Sequence, residues 1–156
     1  MGSAQGKASG GCLCGAVRFT ASPQSGDVGA CHCSMCRRWS AGPFMVRDCG
    51  TTLAIEDRTQ LGVYRSSEWA ERAFCKQCGT PLYYRLVEQN QYYVSAEAFD
   101  DRTGYAFTHQ VFVDEKPAYY DFANKTHNMT GAEVFAAFAP PAAPARARVP
   151  ELLPAS

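Results

Sequence analysis

Seven of the eight cysteines in this 156-residue chain lie in three short clusters. The clusters are Cys12-x-Cys14, Cys31-x-Cys33-x-x-Cys36 and Cys75-x-x-Cys78. Cysteines at such spacing act together, either as disulfides or as ligands of a shared metal ion. The fold must therefore bring sulfur atoms that are distant in sequence to common points, and this constrains the topology more than any hydrophobic pattern in the chain.

The rest of the sequence favours metal binding over disulfides. The start, MGSAQGKASG, lacks the apolar segment of a secretory signal, and there is no apolar run of about 18 residues to predict a membrane helix. We therefore expect a cytoplasmic protein, where thiols stay reduced and clustered cysteines serve as metal ligands or catalytic groups. Net charge is zero, with 15 basic and 15 acidic side chains. This balance argues against nucleic acid or a membrane surface as the partner.

Length and composition predict one domain with flexible ends. A chain of 156 residues can bury one core but is too short for two. Gly, Ser, Ala and Lys dominate residues 1–10, where we expect disorder, and we assign residues 1–6 to a disordered N-terminus. The folded domain then covers residues 7–138, and a mobile tail rich in Pro and Ala covers residues 139–156.

The domain is predicted to be mainly β. Short runs of alternating apolar and polar residues lie between Gly, Asp, Asn and Pro, as is typical of antiparallel sheets. The predicted strands cover residues 16–20, 44–46, 60–65, 80–86, 92–96 and 109–113. Helical signal is weak, with one turn of helix over residues 34–38 and a short helix over residues 130–138 capped by Thr130.

Two of the cysteine clusters can complete each other. Cys12, Cys14, Cys75 and Cys78 supply the four thiolates of a closed tetrahedral zinc site, whose role is structural. Gly79 tolerates the tight backbone that a metal-binding turn needs. The alternatives are two buried reduced pairs or a redox-active Cys75/Cys78 pair. The redox pair is typical of a βαβ unit, which the sequence does not indicate.

The third cluster is one ligand short. Cys31, Cys33 and Cys36 would hold a zinc ion with one open position, which could take water or a thiolate from a substrate. Alternatively, Cys49, His32, His109 or His127 could close the site, and the zinc would then be structural. His32 lies between two of the cysteines, is expected to point away from the metal, and is a candidate proton shuttle.

Several basic residues lie near these clusters in sequence. A thiol substrate such as glutathione carries two carboxylates, so its site needs cationic donors near the metal. Arg37, which directly follows Cys36, is the preferred substrate-binding candidate. The other basic candidates are Arg38, Arg65, Arg72 and Lys76. For any one of the five residues, a solvated surface charge is the more common role.

The order of these motifs resembles the glutathione-dependent formaldehyde-activating enzyme family, whose domain is shared by centromere protein V. The resemblance covers residues 7–116 and is carried by Gly10-Gly11-Cys12-Leu13-Cys14-Gly15, by Cys31-His32-Cys33-Ser34-Met35-Cys36-Arg37 and by Arg72-Ala73-Phe74-Cys75-Lys76-Gln77-Cys78-Gly79. It implies a β-tent fold with one structural zinc on Cys12, Cys14, Cys75 and Cys78. It also implies a second, more labile zinc on Cys31, Cys33 and Cys36. Cys49 is not part of the family pattern.

Two functions follow as hypotheses. The resemblance implies condensation of formaldehyde with glutathione to S-hydroxymethylglutathione, or the reverse cleavage by a carbon-sulfur lyase. In this hypothesis a small-molecule thiol and a small aldehyde are the partners, and the second zinc stabilises the thiolate. The alternative is a non-catalytic binding module in which both zinc ions are structural.

Overall fold

The computed structural model describes residues 6–138. Most of the predicted disordered N-terminus, residues 1–5, and the whole predicted tail, residues 139–156, lie outside the described residues. The chain forms β1 (Ala8–Gly11), β2 (Arg18–Ala21), β3 (Asp27–Cys31), α1 (Ser34–Ser40), β4 (Phe44–Asp48), β5 (Ala54–Ile55), β6 (Leu61–Arg65), β7 (Ala70–Cys75), β8 (Pro81–Leu86), β9 (Gln91–Ser95), β10 (Ala106–Val111), β11 (His127–Met129) and α2 (Gly131–Phe138).

The strands form two sheets. A three-stranded sheet has the order β1-β2-β5, and an eight-stranded sheet has the order β11-β10-β3-β4-β9-β8-β7-β6. The predicted single, mainly β domain is confirmed. Most pairs are antiparallel, but β10 pairs in parallel with both β3 and β11. Local alternation carries no information on strand direction, and the parallel pairs form only through long crossovers.

Five strands, β1, β3, β5, β7 and β11, were not predicted from the sequence, and the reason can be identified for three of them. Strand β1 lies where composition indicated disorder, an expectation that is wrong for Ala8–Gly10 because this segment pairs antiparallel with β2. Strand β3 consists mostly of small residues, so it lacks a clear apolar alternation. Its Gly29 leaves room for His109, because a Cβ at this position would lie 2.1 Å from Nε2 of that residue. Strand β7 buries Arg72, a charged residue that interrupts the expected apolar alternation.

The core joins the two sheets. Phe19 of β2 packs edge to face on Phe99, with 5.4 Å between ring centroids. Both rings belong to one buried cluster with Leu82, Val94 and the thiols of Cys12, Cys49 and Cys75. The core therefore extends to the four-cysteine group, since Cys12 and Cys75 of that group are part of it.

Both predicted helices are confirmed. Helix α1 begins after Cys33, whose Sγ accepts a hydrogen bond from the Cys36 backbone at 3.3 Å. It ends at Ser40 and is followed by Ala41, whose φ of 63° is left-handed. Thr130 Oγ1 caps α2 by accepting from the Glu133 backbone at 3.2 Å. Neither described helix has the length and apolar character needed to cross a membrane.

Candidate metal centres and the adjoining surface

The four-cysteine group comprises Cys12, Cys14, Cys75 and Cys78. Its sulfur atoms all lie within 4.8 Å of one another. Two come from the turn between β1 and β2, and two come from the end of β7 and the turn that follows. Four sulfurs at this spacing can hold one metal ion, and zinc is the ion that such a closed thiolate set typically takes. A metal ion there would link the small sheet to the large one.

Two glycines and one hydroxyl shape these cysteine turns. Gly15 and Gly79 have φ of 81° and 80°, a left-handed conformation that favours glycine. The backbone of Cys78 donates to Cys75 Sγ at 3.5 Å, which turns both sulfurs to the same side. The Thr80 hydroxyl lies 3.1 Å from Cys78 Sγ and lowers the pKa of this thiol to about 5. Cys78 is thus prepared to bind a metal as a thiolate.

The three-cysteine group comprises Cys31, Cys33 and Cys36, with sulfur atoms within 4.8 Å of one another. Cys31 ends β3, Cys33 caps α1, and Cys36 lies in the first turn of that helix. Hydrogen bonding from the Cys31 thiol lowers the pKa of Cys33, and the same contact raises the pKa of Cys31. Negative charge is therefore favoured at one sulfur of the group even before a metal ion is considered.

Within residues 6–138, no fourth Cys, His, Asp or Glu joins this group at the same spacing. Cys49 lies instead in the hydrophobic core with no exposed surface, and burial raises the pKa of its thiol to about 12. A thiol in that setting is a neutral packing group rather than a metal ligand.

The histidines considered as closing ligands also make other contacts. His32 is fully buried, with Nε2 2.7 Å from Gln110 Oε1 and Nδ1 2.8 Å from the Tyr120 hydroxyl. Both of its ring nitrogens therefore have partners outside the three-cysteine group, and His32 does not join the three sulfurs. His109 Nδ1 lies 3.0 Å from Thr108 Oγ1. His127 of β11 is the partner of His109 of β10 in the register of these two strands.

Arg72, which the sequence does not single out among the basic candidates, contacts the three-cysteine group directly. Its Nη1 donates to Cys36 Sγ at 3.4 Å, and only 3 % of the residue is exposed. The rings of Trp39 and Tyr84 lie 5.2 and 5.1 Å from its guanidinium carbon. The sequence signal was present in principle, because alternation along β7 turns Arg72 and Glu71 to opposite faces of the sheet. The identity of its neighbours was not visible in the sequence.

Arg37 directly follows Cys36 on α1 and lies at the surface. It is half-buried, and its Nε donates to the His32 carbonyl at 2.8 Å. It lines an open depression together with Ser34, Arg38, Ala41, Gly42 and Tyr119. Arg65 and Lys76, by contrast, are exposed and are not part of this depression. Two of the five basic candidates therefore share one open surface formed by α1, the residues after it and Tyr119.

Comparison with known proteins places this arrangement among related chains. The family described as glutathione-dependent formaldehyde-activating enzyme matches residues 7–115. A Schizosaccharomyces pombe protein named as an uncharacterized lyase is 40% identical over 126 residues, which cover 80% of this chain and 92% of that protein. A putative glutathione-dependent formaldehyde-activating enzyme of Halomonas elongata is 31% identical over 83 residues, covering 47% of this chain and 53% of that protein.

A solved structure supports the fold. A crystal structure of a Rhodobacter sphaeroides protein aligns with a TM-score of 0.52 at 24% identity, covering 59% of this chain and 87% of that one. At this level of identity the likeness supports the architecture of the sheets alone.

Proposed function

The chain belongs to the glutathione-dependent formaldehyde-activating enzyme family, and from this membership we propose that it is a zinc-dependent carbon-sulfur lyase. Its reaction would form or cleave the S-hydroxymethyl adduct of glutathione or a related thiol. The names of the two relatives, a lyase and a formaldehyde-activating enzyme, support this class of reaction.

The observation that carries the proposal is the incomplete three-cysteine group. A closed structural zinc site uses four protein ligands, whereas a catalytic site leaves one position for a substrate. Cys31, Cys33 and Cys36 lie together without a fourth ligand of the usual types in the described part of the chain. This arrangement favours an open site over the alternative of a binding module with two closed zinc sites.

The chemistry joins a thiol to an aldehyde. The thiol sulfur attacks the carbonyl carbon, a carbon-sulfur bond forms as the carbonyl π bond breaks, and the thiol proton ends on the new hydroxyl oxygen. Cleavage is the reverse. A zinc ion held by the three cysteines would stabilise the substrate thiolate at neutral pH. No covalent bond to the protein is needed, so the protein contributes by placing the thiol.

The depression beside α1 is the proposed place for the rest of a thiol substrate. Arg37 and Arg38 line it, and guanidinium groups bind carboxylates such as the two of glutathione. Tyr119, which is 83% exposed, forms part of the same surface. Arg37 remains our preferred substrate-binding residue because it also directly follows a cysteine of the group.

The four-cysteine group is proposed to hold a structural zinc. Cys12, Cys14, Cys75 and Cys78 provide a complete ligand set and leave no position for a substrate. The site would connect the sheets and contribute to folding rather than to chemistry. The cytoplasmic location suggested by the sequence stays a prediction.

A thiol titration tests the proposal. Zinc-loaded protein is titrated with glutathione while X-ray absorption follows the number of sulfur neighbours per metal, and the experiment is repeated with Cys33→Ser. We expect glutathione to add sulfur coordination in the wild type and not in the variant. Aldehyde turnover is then measured against the uncatalysed reaction of glutathione with formaldehyde. A second metal that already has four protein ligands and ignores glutathione would favour the binding module.

A further inference from the structure

Arg72 is a buried cation without a carboxylate partner. Only 3 % of the residue is exposed, and no Asp or Glu in residues 6–138 lies within ion-pair distance of it. Its Nε is also buried without a hydrogen-bond partner. A buried charge is costly unless an opposite charge or hydrogen bonds compensate it. Besides two aromatic rings, the polar partner that the described structure gives the Arg72 guanidinium is a sulfur of the three-cysteine group.

The contact with Cys36 supplies this link. Nη1 of Arg72 donates to Cys36 Sγ at 3.4 Å, and Cys36 is itself only 4% exposed. When the sulfur is a thiolate, the contact becomes a charge-assisted hydrogen bond. Such a bond reduces the electron density that Cys36 gives to a metal. The metal then accepts a further ligand more readily.

Two aromatic rings hold the guanidinium in place. Trp39 of α1 and Tyr84 of β8 lie 5.2 and 5.1 Å from the Arg72 guanidinium carbon, within the range of a cation–π contact. Tyr84 is also the direct partner of Arg72 in the register between β7 and β8. The rings limit water around the charge, so its field acts strongly on the neighbouring sulfurs.

The second buried arginine differs in its contacts. Arg47 is 2% exposed and its Nε is also buried without a hydrogen-bond partner, but its Nη2 donates to the Ser25 carbonyl at 2.6 Å and its guanidinium lies 3.7 Å from the Tyr105 ring. Its hydrogen bond and ring contact are typical of a structural arginine. The thiol contact of Arg72 is what points to a role at the three-cysteine group.

We propose that Arg72 is a positioning residue that favours an anionic thiolate over neutral ligands at the open position of the three-cysteine site. This inference rests on the proposed function. Three thiolates and one zinc ion carry one net negative charge, so a fourth thiolate is repelled on entry. The positive charge of Arg72 offsets this repulsion. A neutral ligand meets little repulsion and gains little from Arg72.

The test compares two ligands that differ in charge. Cobalt(II), whose absorption bands report its ligands, replaces zinc, and the protein is titrated with 2-mercaptoethanol or with imidazole at fixed pH. Arg72→Gln and Arg72→Met remove the charge, and Arg72→Lys keeps it. We expect the neutral variants to lose thiol affinity by about tenfold or more. Imidazole affinity should stay within about threefold, and the lysine variant should remain close to wild type.

Arg85→Met is the matched control. Arg85 follows Tyr84 on β8 and pairs with Glu71 at 2.9 Å, on the opposite face of the same strand pair. Its loss should leave both affinities unchanged. Equal weakening of thiol and imidazole in the neutral Arg72 variants, or unchanged thiol affinity, overturns the inference while the proposed function survives. If wild-type protein takes up no thiol at all, the proposed function fails and this inference fails with it. If either Arg72→Gln or Arg72→Met does not fold, the thiol and imidazole affinities of the other variant decide the test.

Discussion

The hydroxyl of Thr80 lies 3.1 Å from Sγ of Cys78. The same oxygen accepts a hydrogen bond from the Leu13 backbone at 3.0 Å, so its own proton is free to point to the sulfur. Thr80 therefore joins the two turns that carry the four-cysteine group and stabilises the thiolate form of one ligand.

Replacement of Thr80 by valine should make the four-cysteine site release metal at higher pH. The hydroxyl lowers the pKa of Cys78, so its removal raises that pKa. Protons then compete with the metal for this sulfur at a higher pH. We expect the midpoint of zinc release to rise by about one pH unit. The measurement is an acid titration with a zinc indicator. Thr80→Ser keeps the hydroxyl and should release zinc as wild type does. An identical midpoint in the valine variant would contradict the assigned role.

The two cysteine groups should respond differently to loss of a sulfur. Cys75→Ser breaks the proposed structural site, where zinc contributes about 10 kcal/mol of apparent free energy, so folded soluble protein should be largely lost. Cys33→Ser should mainly remove the second metal and leave a folded protein. Zinc content and thermal unfolding of both variants provide the measurement. If both replacements unfold the protein to the same extent, the division into structural and open sites is wrong.

Cys49→Ala should leave both metals bound. The thiol is fully buried in the core, so the smaller side chain should cost about 1 kcal/mol of stability through lost packing. Zinc stoichiometry and the cobalt(II) spectrum should match wild type. Loss of the second metal in this variant would instead identify Cys49 as the fourth ligand and support the binding module.

Stability should fall as the pH is lowered below the ordinary histidine pKa of 6.5, and His109 should contribute to the loss. Burial lowers the pKa of His109 in the folded state, so the unfolded chain binds more protons between that lowered value and 6.5. Burial lowers the pKa of His32 in the same direction. His109→Gln should reduce the slope of unfolding free energy against pH in urea titrations with zinc present. An unchanged slope would exclude His109 as a source of the pH dependence.

Arg37→Gln should weaken glutathione binding more than binding of 2-mercaptoethanol. The guanidinium lies at the edge of the depression and is proposed to bind a carboxylate, which 2-mercaptoethanol lacks. We expect about a tenfold loss for glutathione, as for a charged hydrogen bond at a partly exposed site. Calorimetric titration of zinc-loaded protein measures both affinities. Equal losses for the two thiols would indicate a local structural effect of Arg37 on the His32 carbonyl.

Much of the site was visible in the sequence because sulfur ligands that share a turn must be close in sequence. The spacing of Cys75 and Cys78 predicts a tight turn that aims both sulfurs at one point, and the structure contains such a turn, with Gly79 in the left-handed conformation. The helix after Cys33 and the cap at Thr130 were likewise readable, since both depend on contacts within a few residues.

Other features required contacts between distant segments. Strand β1 looked disordered because its Ser- and Gly-rich residues gain structure only by pairing with β2. The parallel pairing of β10 with β3 depends on a crossover that no local pattern encodes. Cys49 appeared a plausible fourth ligand from its sequence position, but the turn after β4 buries it in the core instead.

The sequence by itself determined how the cysteines divide, since four sulfurs in two short pairs can complete each other and the remaining cluster has only three. The tertiary structure alone decided what surrounds that cluster. The strand pairing of β7 with β8 and the packing of α1 place Arg72 between Trp39 and Tyr84, with its Nη1 on Cys36 Sγ. The physical reason is that ligand spacing is a local property of the chain, whereas the burial and the charge of a site arise from side chains that only the completed fold brings together.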